Sequence, residues 1–312
     1  MHSKLALALA LALALAAGSA HAQSFRFMTG PQGGSWYPLG GAIQGLVEKA
    51  IPGSSVQVAP GAGISNVRAI QDGKAEFGFG NGVSSVDGVA GREPFKAKQD
   101  NVCQVGTLYF QYFHMVALAD SGVKTVADLK GKALTTQQRG NTGEQMTRDV
   151  LKVYGLDYGA MSKVNHGSYN DSVAQLKDGH AQAFGLITTV PASAVMDLAA
   201  AREVRVLEVP EDKLKALQQI NAGYDKRIIK AGSYPKQDKD VQTIGTWTHM
   251  IASCKLPEDQ VYRVTKALAE NIGALGAVVA AVKEISVKDM AIDVGVTYHP
   301  GALKYYKEAK VK

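Results

Sequence analysis

Cysteine is scarce. Cys103 and Cys254 are the only two in 312 residues, and without a Cys-x-x-Cys spacing they form no metal or dithiol motif. In an exported chain an even count permits a disulfide, with two buried thiols as the equal alternative. Histidine is also sparse: His114, His166, His249 and His299 stand isolated, and neither a His-Glu-x-x-His helix nor a Gly-x-Ser-x-Gly elbow occurs. With no legible carboxylate pair or nucleophile with its base, the chain is not expected to be an enzyme, nor to carry a metal or a cofactor. The 34 basic residues outnumber the 28 acidic ones but are scattered, so nucleic acid is not an expected partner. Past residue 22 no apolar run approaches the roughly 20 residues of a membrane helix. Repeats and low-complexity segments are likewise missing after that point.

What is present begins with Lys4, an unbroken Leu/Ala run from Leu5 to Ala17, and Ala20-His21-Ala22. A positive n-region, a short apolar h-region and a small-x-small site predict a signal peptide over residues 1–22, cleaved after Ala22. The formal charge of +6 becomes +5 when Lys4 leaves with the leader. The remaining 23–312 are long enough for two lobes of ordinary globular composition, 46% hydrophobic and 20% charged.

Along that stretch the recurring unit is strand, glycine loop, helix. Phe25 and Phe27 alternate with polar neighbours, Val56 and Val58 mark a second strand, and Phe77 and Phe79 a third, followed by a loop at Gly80-Asn81-Gly82. Such alternation predicts an α/β fold with a mostly parallel sheet and ligands at the loop ends. The β-rich run Val102 to Leu118 exits a first lobe at Asp120-Ser121-Gly122, and Val241 to Ser253 returns to it. The expected division is 23–118 and 239–312 for lobe 1, with 119–238 as lobe 2.

Two stretches point to ligand chemistry. Thr29 to Gly41 is a strand-to-helix turn in which Gly33 and Gly34 let backbone approach a ligand, Ser35 is placed to cap, and the helix start suits an anion. Trp36 and Tyr37 would either stack on a ligand or anchor the core. In Gln138 to Gln145, Thr142 with Gln145 reads as a capping box, and Arg139 offers a guanidinium fork for a carboxylate. The hydroxyls of Thr188 and Thr189, before Pro191, either face the same cleft or serve as caps.

Four segments carry a resemblance: Gly33-Gly34-Ser35-Trp36-Tyr37-Pro38-Leu39-Gly40-Gly41, Gly63-Ile64-Ser65-Asn66-Val67, Ser233-Tyr234-Pro235, and His299-Pro300-Gly301-Ala302-Leu303-Lys304-Tyr305-Tyr306-Lys307-Glu308. With them the chain resembles, over nearly all of residues 23–312, the TAXI-type solute receptors of tripartite ATP-independent periplasmic (TRAP) transporters. The resemblance implies a two-lobed periplasmic binding protein of type II topology. It would close on a small carboxylate such as glutamate or a dicarboxylate and deliver it, as a monomer, to an ion-gradient-driven permease. It also implies ligand loops at Gly34, Ser35, Trp36 and Tyr37; at Asn81; at Arg139, Asn141 and Thr142; and at Thr188 and Val190. Asn81-Gly82-Val83 and Gly140-Asn141-Thr142-Gly143 depart from the Gln-Ser-Asp and Gly-Ser-Gly-Thr of many members, both on specificity loops. The alternatives are a receptor for an ATP-driven importer or a sensor kinase, and a periplasmic hydrolase or transferase.

Overall fold

A computed structural model describes residues 23–312, so the expected leader and its cleavage point lie outside the described residues. Strand β1 (Ser24–Met28) buries Phe25 and Phe27 and turns Ser24 and Arg26 outward. Helix α1 (Trp36–Ala50) follows, burying Leu39, Ile43 and Val47 at four-residue spacing, which sets one apolar stripe against the sheet. The chain continues through β2 (Ser55–Ala59), α2 (Gly63–Gln71), β3 (Phe77–Asn81) and α3 (Gly82–Ala90) into the long strand β4 (Val102–Leu118). Next come β5 (Ala133–Gln137), α4 (Thr142–Val153), β6 (Lys163–Gly167), α5 (Tyr169–Lys177), β7 (Ala183–Thr188) and α6 (Ser193–Ala201). After β8 (Val204–Val206), α7 (Glu211–Ile220) and β9 (Asp225–Ile229), the second long strand β10 (Val241–Ser253) leads to α8 (Glu258–Leu275), α9 (Val287–Met290) and α10 (Pro300–Glu308).

The sheet runs β2-β1-β3-β10-β4-β7-β5-β6, with β8 beside β4 and β9 beside β10. β1, β2 and β3 are mutually parallel, as are β5, β6 and β7, which is the product of successive right-handed strand-helix-strand units. The antiparallel pair β4 and β10 joins these two halves. β4 pairs with β10 from Val102 to Tyr112, then with β7 from Tyr112 to Ala117, so its partner changes at Tyr112, opposite Gly245 of β10. Each half buries its own core, one around Phe27, Phe79, Leu108 and Val264, the other around Phe113, Leu134, Val150 and Ile187. This is the expected two-lobed α/β architecture, with loops from both halves meeting at the carboxyl ends of the parallel strands. Among the described residues no helix is long and apolar enough to cross a membrane.

Several details differ from the sequence expectation. The segment after Asn81 continues as α3 instead of a loop, because its buried Val83 gives the short helix an inward face. Strands β6 and β9 and helix α5 were not expected; β6 is a partly exposed edge strand without the period-2 pattern that betrays a half-buried one. Helix α2 begins at Gly63, where the Ser65 hydroxyl donates back to the Ala62 carbonyl and the Asn66 Oδ1 accepts from Ala62 N. Cys103 and Cys254 are joined as a disulfide, with an S–S distance of 2.05 Å across 151 positions of sequence.

Candidate functional site

The two lobes meet at a pair of connected hollows. The inner one, about 20 Å³, is lined by Gly34, Ser35 and Trp36 from the start of α1, Asn81 at the end of β3, Gln111 on β4, and Asn141, Tyr169 and Ile187 from the opposite lobe. Gly34, Ser35 and Tyr169 also border a larger outer cavity of about 520 Å³, walled by Tyr37, Thr188, Val190 and Ala194 among others. The inner volume suits a group the size of one water molecule, whereas the outer one is within the range of small-ligand sites.

The glycine turn before α1 owes its composition to this junction. Gly33 has φ +84°, in the left-handed region, and a Cβ there would stand 3.3 Å from the Asn170 side chain of the other lobe. A Cβ on Gly34 would meet the Tyr169 ring at 3.4 Å. Ser35 occupies the N-cap position with helical dihedrals, so its hydroxyl cannot reach back to the helix amides. It is not the expected cap; it pairs with the Tyr109 hydroxyl at 2.8 Å. Burial pushes the Tyr109 phenol up to about 12, which keeps it a neutral hydrogen-bond partner. Trp36 settles between its two expected roles as a core anchor: 6% exposed, its indole NH donates to Thr248 Oγ1 at 3.1 Å and its ring packs on Phe79, while one edge still borders the inner hollow.

Opposite, the start of α4 is capped by Asn141, whose Oδ1 accepts from Gly143 N at 3.0 Å. The Thr142–Gln145 capping box is therefore not formed. Both side chains cross to the other lobe, Thr142 Oγ1 to Ser84 Oγ at 3.0 Å and Gln145 Nε2 to Asp87 Oδ2 at 2.9 Å. The backbone adds a third crossing bond, from Ser65 N to the Gly140 carbonyl at 3.3 Å. A Cβ on Gly63 would lie 2.1 Å from Thr142 Oγ1, so only glycine lets α2 come this close.

Of the residues expected at the site, Gly34, Ser35, Trp36, Tyr37, Asn81, Asn141, Thr188 and Val190 border one hollow or the other. Thr142 borders neither, its hydroxyl being used between lobes. Arg139 corrects the expectation of a carboxylate clamp: it is exposed and borders neither hollow, because the turn at Gly140, φ +85°, directs Asn141 and not Arg139 inward.

Three contributors went unforeseen. Tyr169 opens α5 and donates its OH to the Ile187 carbonyl at 2.8 Å; Ser168 and Asp171 form a true capping box there, a spacing readable in the sequence. Gln111 accepts from Asn81 Nδ2 at 3.0 Å, and nothing in a buried strand residue announces such a role. Val278 to Ala281, past the end of α8, supply the far wall of the outer cavity.

The isolated histidines are mostly structural. His114 Nε2 lies 2.7 Å from the Tyr234 hydroxyl, which accepts from Ala192 N at 3.0 Å and so pins the segment leading into α6. His249 Nε2 lies 2.8 Å from Ser85 Oγ with both residues fully buried. Burial lowers them to about 4 and about 3 respectively, so both rings are neutral at physiological pH. His166, partly buried at the end of β6, sits edge-on to Tyr158 and borders neither hollow.

The model of one protein family, described as NMT1-like, matches residues 27–309. The chain belongs to the NMT1-like family. Among solved structures, the family fold is similar to PhnD1 from Prochlorococcus marinus in complex with methylphosphonate, at 11% identity and TM-score 0.57, covering 93% of this chain and 99% of that one. It is similar to a Xanthomonas citri protein bound to chloride ion, at 10% identity and TM-score 0.53, covering 92% and 97%. A Bordetella bronchiseptica protein aligns at 15% identity and TM-score 0.52, covering 92% and 89%. At such identities the likeness establishes the two-lobed binding-protein fold.

Proposed function

We propose that this NMT1-like protein is a periplasmic solute-binding subunit that captures a small anionic solute, a carboxylate in the first instance, between its lobes and hands it to a membrane transporter. The observation that carries this is the convergence of the starts of α1 and α4, one from each half, on a single inner hollow bordered by Asn81 and Gln111. Helix starts present unpaired NH groups and a positive dipole end, and two of them across a hinge hold an anion only when the lobes are closed. The methylphosphonate and chloride carried by proteins of the same fold are in keeping with an anion at this place. On this reading the leader exports the chain to the periplasm, the lobes are 23–118 with 239–312 and 119–238, and the partner is an ion-gradient-driven TRAP-type permease.

A thermal-shift screen of mono- and dicarboxylates, amino acids, sulfonates and phosphonates tests it. At least one anion should raise the melting temperature, and the rise should shrink in an Asn81→Ala/Asn141→Ala double variant. Stabilisation by uncharged solutes alone, or by anions equally in the double variant, would remove the cleft as the anion site.

A second reading, delivery to an ATP-driven importer, is favoured by similarity at TM-score 0.50 and 14% identity to a structure described as a putative L-cystine ABC transporter from Listeria monocytogenes. Uptake into proteoliposomes energised by an ion gradient or by ATP separates the two. A hydrolase would need a nucleophile paired with a base, and the hydrogen-bonded Ser85 and His249 are sealed in the core away from both hollows.

A further inference from the structure

The outer cavity is the place where the body of a bound solute would lie, and its wall is chemically one-sided. Among the described residues, no lysine, arginine, histidine, aspartate or glutamate borders either hollow. Every polar group in the lining is uncharged: the amides of Asn81, Gln111 and Asn141 at the inner end, and hydroxyls, among them those of Ser35, Thr188, Thr189 and Ser193, along the outer cavity. Beyond them stand Pro38, Val190, Ala194, Val278, Val279 and Ala281, and Val278 is 43% exposed, an apolar face turned toward the opening. Arg139, the one cation expected here, is on the exterior.

We infer that the solute is a monoanion with an uncharged, largely apolar body, and that the site selects against dicarboxylates and zwitterions. The inference rests on the solute-binding reading above and narrows it. A single carboxylate is served at the inner end by helix-start NH groups and neutral amides, which need no side-chain charge. A second carboxylate or an ammonium group at the other end of the solute would be drawn from water against valine, alanine and proline, with no ion of opposite sign to receive it. Burying a charge without a partner is costly, whereas burying methylenes there is favourable. Selectivity thus arises from what the outer wall withholds, and glutamate and dicarboxylates fall outside the favoured class.

The test uses four probes of one chain length: hexanoate, adipate, the ω-amino acid of hexanoic acid, and hexanol, titrated calorimetrically into the leader-free protein. Hexanoate should bind, and adipate and the amino acid should bind about tenfold or more weakly. Adipate or the amino acid binding as tightly as hexanoate would overturn the narrowed class while leaving anion capture intact. Hexanol binding as well as hexanoate, or no binding by any probe, would overturn both. Ala194→Lys, at the partly exposed first turn of α6, places an ammonium on the apolar wall. It should raise the adipate-to-hexanoate affinity ratio about tenfold with the circular dichroism spectrum unchanged. A ratio that stays put would show that the solute's far end does not lie along this wall.

Discussion

The neutral histidines tie single residues to the pH range in which the fold holds. In the unfolded chain His114 and His249 take up protons near 6.5; in the folded protein burial holds them to about 4 and about 3. Below 6.5 the unfolded state therefore binds more protons, and stability falls as pH falls, each histidine adding a slope of up to ~1.4 kcal/mol per pH unit. From pH 6.5 down to about 5, where most carboxylates are still ionised, urea-unfolding free energies should decline by this route. His249→Gln should be less stable at neutral pH, because its partner Ser85 is buried, yet should show a shallower slope, the remainder coming from His114 and from His299, which burial also lowers. Equal slopes in variant and parent would mean that His249 is not held neutral. At the same scale, reading the sequence succeeded where residue type dictates backbone, as at Gly33, and failed where a side chain had several possible partners. Ser35 and Thr142 look like caps, but Tyr109 and Ser84 win their hydroxyls, and those partners lie 74 and 58 positions away. Arg139 failed for a related reason, since one left-handed glycine decides which residue of its loop faces inward.

At the scale of elements, the strand-glycine-helix rhythm was legible because the alternating phenylalanines of β1 and β3 and the stripe of α1 are local patterns. Helix α5 was missed although its Ser168 and Asp171 cap is a local signal, and with it went Tyr169, which borders both hollows from the second lobe. The closing His299-Pro300-Gly301 segment shows how an element can be specified by its packing. His299 Nδ1 accepts from Gly301 N, its Nε2 lies 3.1 Å from the Leu256 carbonyl, and α10 is thereby set against the start of α8. A Cβ on Gly301 would stand 2.1 Å from the Glu258 carbonyl oxygen and 2.6 Å from Tyr262 N, both backbone atoms that cannot swing aside. Gly301→Ala should force the two helices apart and destabilise by about 1–3 kcal/mol, despite the better helix propensity of alanine. Chemical denaturation would show the loss; a gain in stability would mean that α10 is not seated this closely.

For the molecule as a whole, the question is what holds two lobes, each with its own core and joined by β4 and β10, in the arrangement seen. Among the contacts that cross between the lobes, Ser84 with Thr142, Asp87 with Gln145, and Ser65 N with the Gly140 carbonyl lie together on the α2, α3 and α4 side of the hollows, and Asn221 Nδ2 adds a bond to the Val83 carbonyl of α3 at 3.2 Å. Asp87 is further steadied by Arg92 Nε at 2.8 Å, so the acceptor presented to Gln145 is fixed in place. On the proposed solute-binding reading, closure would depend on the close approach that Gly63 allows to Thr142 Oγ1. Gly63→Ala should disfavour the closed arrangement by about 1–3 kcal/mol, weakening the best solute roughly 5- to 150-fold, chiefly through the shifted lobe equilibrium, since the new Cβ meets Asn81 Oδ1 of the inner hollow only at 3.0 Å. Small-angle scattering should report a larger radius of gyration for that variant. Adding Thr142→Ala removes the atom in the way, and the Gly63→Ala/Thr142→Ala pair should recover part of both compactness and affinity even though it lacks the Ser84 contact. If the double variant is instead as open and weak as the two single losses combined, the approach of α2 to α4 is not what governs closure, and the lobes are held by the paired strands and the remaining crossing bonds.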